Sequence, residues 1–130
     1  MNNNIFGFEN LAAYQRAMDL VDKVYDLMKG FPAEERYALC DQLRRAVVSV
    51  PSNIAEGLGR ISSKEQVRFI EISFGSLMEV YCQLILAFDL NYIDEQQLSE
   101  CKTLIDRIKQ MLIALNRKKR KQLMTRQPSK

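Results

Sequence analysis

Histidine and tryptophan are absent from this 130-residue chain, and no Cys-x-x-Cys pair occurs. The missing imidazole removes the usual zinc sites and every triad in which histidine activates a nucleophile. Hydrolytic catalysis loses its commonest general base, and no acidic cluster has metal-ligand spacing, so we expect no enzymatic activity, no metal and no cofactor. Three prolines and five glycines are too few for a turn-rich β protein. No uninterrupted apolar run approaches the roughly 18 residues of a membrane span. The start, MNNNIFGFEN, lacks the basic flank and apolar core of a signal peptide. A cytoplasmic protein without a membrane partner is the expectation. Cys40, Cys82 and Cys101 are odd in number and widely spaced, which fits free buried thiols better than disulfides.

What is present is apolar residue in quantity, 47% of the chain, and an uneven distribution of charge. Residues 1–116 hold all sixteen acidic and twelve basic residues, a net of −4, whereas residues 117–130 hold seven basic residues and no acid. A mildly acidic body carries a basic tail.

The body reads as helix throughout. Leu11, Tyr14, Met18, Val21, Tyr25 and Met28 step by three and four, predicting an amphipathic helix over about 10–29. Ile5 and Phe6 are apolar anchors before it. Gly30 is placed to end this helix in the left-handed conformation, and Pro32 to open the next at its first turn. That second helix is expected over 34–58. Ser62 and Glu65 form a capping-box pattern ahead of a third helix over 63–90, with Val67, Ile70, Phe74, Leu77, Tyr81, Leu84 and Phe88 in strict spacing. Phe69, Met78, Val80, Ile85 and Ala87 widen this stripe, and Ile72 and Leu86 fall beyond it. A bundle helix needs only about three apolar positions per heptad, so the surplus favours self-association. Asn91–Ile93 turns the chain, Asp94 caps a fourth helix over 94–116, and residues 117–130 form a largely disordered tail. Short connections make the fold class all-α, an antiparallel up-down-up-down four-helix bundle.

The segment Gln42–Arg60, QLRRAVVSVPSNIAEGLGR, organises the rest. Leu43, Ala46, Val47, Val50, Ile54 and Leu58 keep helical spacing across Pro51. A proline inside a helix costs about 3 kcal/mol. Either one helix is kinked at Pro51 or two meet there; the unbroken spacing favours the kink. Ser49, Ser52, Asn53 and Glu56 form a polar stripe on the opposite side, flanked by Arg44, Arg45 and Arg60. Two readings stay open for it: a solvated or kink-securing face, or a contact surface in which the arginines meet phosphates. The run Arg117, Lys118, Lys119, Arg120 and Lys121 exceeds what helix capping uses. Such runs attract nucleic acid or anionic surfaces, although a solubilising tail reads the same way. No aromatic stands in the tail to stack on bases.

With QLRRAVVSVPSNIAEGLGR followed by SSKEQVRFIEISFGSLMEV, and with FPAEERYAL before and LNYI after, the chain resembles the four helix bundle protein family associated with 23S ribosomal RNA intervening sequences. The resemblance covers about residues 5–115 and leaves out the basic tail. It implies a bacterial four-helix bundle without established enzymatic activity. A related branch, the accessory variability determinant of diversity-generating retroelements, implies a pentamer with basic surfaces that works with a reverse transcriptase and RNA. The acidic body here departs from that branch. The expectation is a non-enzymatic homo-oligomeric bundle that binds RNA or other nucleic acid as an accessory factor. Arg44, Arg45, Arg60 and Arg117–Lys121 are its phosphate-contacting residues. The alternative is a protein-interaction scaffold that docks its partner on the Gln42–Arg60 stripe.

Overall fold

A computed structural model describes residues 7–125; Ile5, Phe6 and the segment around Pro128 lie outside the described residues. Four helices follow one another: α1 (Ala12–Met28), α2 (Leu39–Leu58), α3 (Ser63–Asp89) and α4 (Glu95–Thr125). Single 3-10 turns stand at Phe8–Asn10 and Ala33–Glu35. No strand occurs among the described residues. Each helix packs on the next, and α4 returns to α1, which closes a four-helix bundle around one core.

Contacts across the α2–α3 seam set its register. Ser49 meets Ser76, Val50 meets Ser73, and Gly57 meets the Gln66–Ile70 turn. Numbers rise on α2 as they fall on α3, so these two helices run antiparallel. A Cβ on Gly57 would stand 2.9 Å from the Phe69 Cβ and 3.3 Å from the Gln66 carbonyl oxygen. Only glycine lets the two backbones approach this closely.

The core uses a different face of α1 from the one its bulky residues suggest. Ala13, Ala17, Leu20 and Val24 are buried, while Met18 and Tyr25 of the expected row are 38% and 39% exposed. Both rows step by three and four. The alanines admit a close neighbour, and Tyr14, Val21 and Met28 pack at the core's edge. On α3 the buried row is Ile70, Ser73, Leu77, Val80, Leu84 and Ala87, and Ile72, Ile85 and Leu86 face outward. By length and composition alone α3 is apolar enough to cross a membrane, with mean hydropathy 1.4 over 18 residues. A core helix passes the same test, and Leu77, Val80 and Leu84 are wholly buried in the bundle.

Helix ends depart from expectation in three places. Gly30 is not left-handed; among the described residues, Gly7 and Asn91 are the ones with positive φ. Instead α1 tightens into 3-10 bonds, Gly30 N–H to the Leu27 carbonyl and Phe31 N–H to that of Met28. The second helix begins at Leu39 rather than 34. Buried Phe31 lies 5.3 Å from the Tyr92 ring, and the Tyr92 hydroxyl donates to Glu35 Oε2 at 2.7 Å. Held there, residues 33–35 form their own turn, and Glu35 Oε1 accepts from the Leu39 N–H at 3.4 Å. Lastly, α4 continues through Thr125, so residues 117–125 are helix and not the start of a disordered tail. Arg, Lys, Gln, Leu and Met are strong helix formers, and no glycine or proline interrupts them before Pro128.

Several other signals behave as read. α2 is one continuous helix across Pro51. The Ser62 hydroxyl accepts from the Glu65 N–H. Asn91 (φ 64) closes α3 with bonds from Tyr92 N–H to the Ala87 carbonyl and from Asn91 N–H to that of Phe88, a Schellman motif. Asp94 and Gln97 then cap α4 reciprocally at 2.7 and 2.8 Å. Lys23 and Glu100 pair at 3.0 Å, tying the end of α1 to the start of α4 and holding the Glu100 carboxyl below its ordinary pKa. All three thiols are free, but Cys82 is exposed, on the outward side of α3. Burial pushes the pKa of Cys40 and Cys101 up.

The Tyr92–Glu35 bond makes a prediction about pH. Donation to Glu35, then burial, then nearby negative charge push the Tyr92 pKa up to about 12. The protonated phenol makes the bond, so its stabilisation is complete below about pH 10, the ordinary tyrosine pKa, and is lost as pH rises through about 12. An absorbance titration of the five tyrosines is expected to show one late step that Tyr92→Phe removes. A titration with no late step, or one that Tyr92→Phe leaves in place, would contradict the assignment.

Candidate nucleic-acid interface

The polar stripe on α2 divides into two parts that do different things. Asn53 Nδ2 donates to the Ser49 carbonyl and to Ser49 Oγ, both at 2.8 Å, and Ser49 Oγ lies 2.8 Å from Ser76 Oγ on α3. Buried Ser73 Oγ donates to the Val50 carbonyl at 2.8 Å. Ser49 and Asn53 therefore belong to the seam, where a hydrogen-bonded cluster flanks the turn that carries Pro51. Ser52 and Glu56 are exposed. Glu56 pairs with Arg60 at 2.8 Å, four residues on.

The basic residues separate to opposite ends of the bundle. Arg44 and Arg45 both reach Asp41, at 3.4 and 3.1 Å, near the α1–α2 connection. Arg45 is about 22 Å along α2 from Arg60, at 1.5 Å per residue. Arg60 stacks 4.8 Å over the Phe69 ring, and its carbonyl accepts from Gln66 Nε2. Arg68 also approaches that ring, at 5.8 Å. Arg120 pairs with Glu71 on the same early part of α3. Arg60 thus shares an end with the basic run, and Arg44 and Arg45 do not.

At that end, α4 carries the basic run on its last turns. Arg117, Lys118, Arg120 and Lys121 are exposed, and Lys119 is half-buried. The Glu71–Arg120 pair anchors the row to α3. Arg117, Lys118, Arg120, Lys121 and Met124 enclose a shallow, open depression. Beside it, a cleft of about 330 Å³ opens between α3 and α4. Phe74, Leu112 and Ile113 line its apolar wall, and Glu71, Asn116 and Arg117 its polar rim. Asn116 Oδ1 has no hydrogen-bond partner.

Phe74 and Asn116 had no place among the residues expected to contact nucleic acid. Phe74 reads as core, and Asn116 as the end of a helix. The available signal was the helix-forming composition of 117–125, which carries α4 past Asn116 and turns that residue toward α3. Among the described residues no group of acidic residues and cysteines has metal-binding geometry.

An all-helical bundle with one basic end is the class this geometry defines. The model of the 23S rRNA-intervening sequence proteins matches residues 9–114, and the chain belongs to that family, as the α2 motif suggested. A solved structure of a protein of unknown function, from the S23 ribosomal protein family of Bacteroides thetaiotaomicron, is similar to it. That protein is 19% identical, with a TM-score of 0.75 over 81% of this chain and 98% of the other. At this identity the likeness is one of fold. No curated protein matches the chain. The family match ends three residues before Arg117, so the basic run lies outside the matched residues.

Proposed function

We propose that this protein is a non-enzymatic, self-associating bundle of the cytoplasm that binds RNA, or other nucleic acid, through the basic end of α4. The observation that carries the reading is the placement of Arg117, Lys118, Arg120 and Lys121 on an ordered helix anchored to α3 through Glu71. A helix holds cationic side chains at fixed spacing, which lowers the ordering cost of meeting several phosphates. Arg60 and Arg68 extend the positive surface around the first turns of α3. Arg44 and Arg45 share Asp41 at the far end and take no part.

Self-association is supported by Ile72, Ile85 and Leu86, which are 39–47% exposed on the outward side of α3. The same face favours the second reading, a scaffold that docks a partner protein there without nucleic acid. Fluorescence anisotropy with labelled RNA and DNA separates the two. Binding at ~50 mM salt is expected, falling steeply with salt at about −0.9 log unit per phosphate neutralised on a duplex. No binding to either polymer at that salt would leave only the scaffold. Sedimentation velocity tests the assembly, and a monomer at micromolar concentration would refute self-association.

A further inference from the structure

We infer that the α3–α4 cleft beside the basic row takes one unpaired nucleobase, which makes a single strand the preferred ligand over a duplex. The inference rests on the nucleic-acid reading above and goes beyond it, because the basic row by itself would not distinguish the two forms.

Three observations meet in this cleft. Its volume, about 330 Å³, lies at the small end of the range for ligand pockets, about 300–1000 Å³, which suits a single planar group. Its wall offers the Phe74 ring together with Leu112 and Ile113, and an aromatic face is what an unstacked base seeks. The stacking partner missing from the basic run is thus supplied by the neighbouring helix. At the rim stands Asn116, an amide with an unpartnered oxygen. Rotation about χ2, a soft torsion in asparagine, turns that amide to present an acceptor and a donor to a base edge.

Charge decides which planar group enters. Arg117 belongs to the cleft and also begins the row that continues through Lys118, Arg120 and Lys121. A base in the cleft places its own phosphates on that row. Glu71 at the rim does not oppose this, because Arg120 pairs with it. An uncharged aromatic ligand would use the wall but leave the row unused. A duplex would use the row but cannot offer a base without breaking a pair, since its bases stay stacked.

The test uses the full chain and ten-nucleotide RNAs, single-stranded and duplex, with one 2-aminopurine in the single strand. The single strand is expected to bind roughly tenfold or more tighter than the duplex at equal salt, as stacking of one base implies. The 2-aminopurine emission should change on binding, as the base leaves its stacked neighbours in the strand. Asn116→Leu, which keeps the side chain's shape but removes the amide that would meet the base edge, is expected to weaken both the preference and the emission change while duplex binding persists. Phe74→Leu should abolish the emission change, with thermal melts confirming that each variant folds. Equal binding of both forms with unchanged emission would overturn the base cleft and leave the basic-end reading standing. Absence of all binding would overturn both. Asn116→Leu dissociating the assembly, with strand preference intact, would assign the cleft to a neighbouring copy and overturn the inference.

Discussion

Replacing Arg117, Lys118, Arg120 and Lys121 together by glutamine is expected to lower RNA affinity on the order of 100-fold at ~100 mM salt. The log–log salt slope should flatten by about 3, as four phosphate contacts at about 0.7 each on a single strand imply. Glutamine keeps helix propensity close to that of lysine and arginine, so α4 should still reach Thr125 and circular dichroism should be unchanged. Stability should barely move, because the Glu71–Arg120 pair is about half exposed on both sides and such pairs contribute about 0–1 kcal/mol. Glu71→Gln alone is the matching control: it removes an acidic charge from the rim but leaves a side-chain oxygen to accept from Arg120, so it should not weaken binding. An unchanged salt slope in the fourfold variant would move the interface elsewhere. The arginines of α2 would then be the next residues to examine.

Leu77→Ala and Leu86→Ala should differ sharply although both lie on α3. Leu77 has no exposed surface, and truncating such a side chain costs about 3–5 kcal/mol through lost burial and the cavity left behind. At about 4 °C per kcal/mol for a chain of this size, the melting temperature should drop by roughly 12–20 °C. Leu86 is 47% exposed, and its truncation should change the stability of an isolated subunit by about 0.5 kcal/mol or less. If α3 is covered by a second copy, the Leu86 effect should grow with protein concentration, since association stabilises by mass action. Equal effects at all concentrations for the two variants would contradict the face assignment.

Most of the fold was legible because α3 announces both its ends, α4 announces its start, and both carry clear periods. The Asp94–Gln97 box, the Ser62 cap and unbroken spacing through Pro51 are local signals, and local physics decided them. The buried face of α1 was not legible in the same way. Two rows with identical spacing compete there, and the bulkier one drew attention although Ala13 and Ala17 permit the closer approach. The late start of α2 depends on Tyr92 reaching Glu35 across 57 positions, which no local pattern records. The end of α4 is not legible from charge, because a charged run reads as unfolded although its residues are good helix formers.

The candidate site was legible by residue type and not by place. A basic cluster could be read directly, whereas its division between two ends could not. Pairing with Asp41, Glu56 and Glu71 follows from helix geometry for the first two and only from folding for the third. Phe74 shows the limit most clearly, since one apolar row supplied both core and cleft wall.

Unequal helix lengths give the bundle a gradient of local stability. At 1.5 Å per residue, the 17 residues of α1 span about 26 Å and the 31 of α4 about 46 Å. Lys23–Glu100 and Phe31–Tyr92 fix the end of α1 beside the start of α4, so α1 runs out first. Among the described residues, the last turns of α4 lean on α3 alone. Segments with few buried apolar contacts open most readily, so amide exchange in α4 should quicken toward its C-terminal turns. The basic row therefore sits on the part of the helix that frays first and that bound phosphates would do most to hold closed.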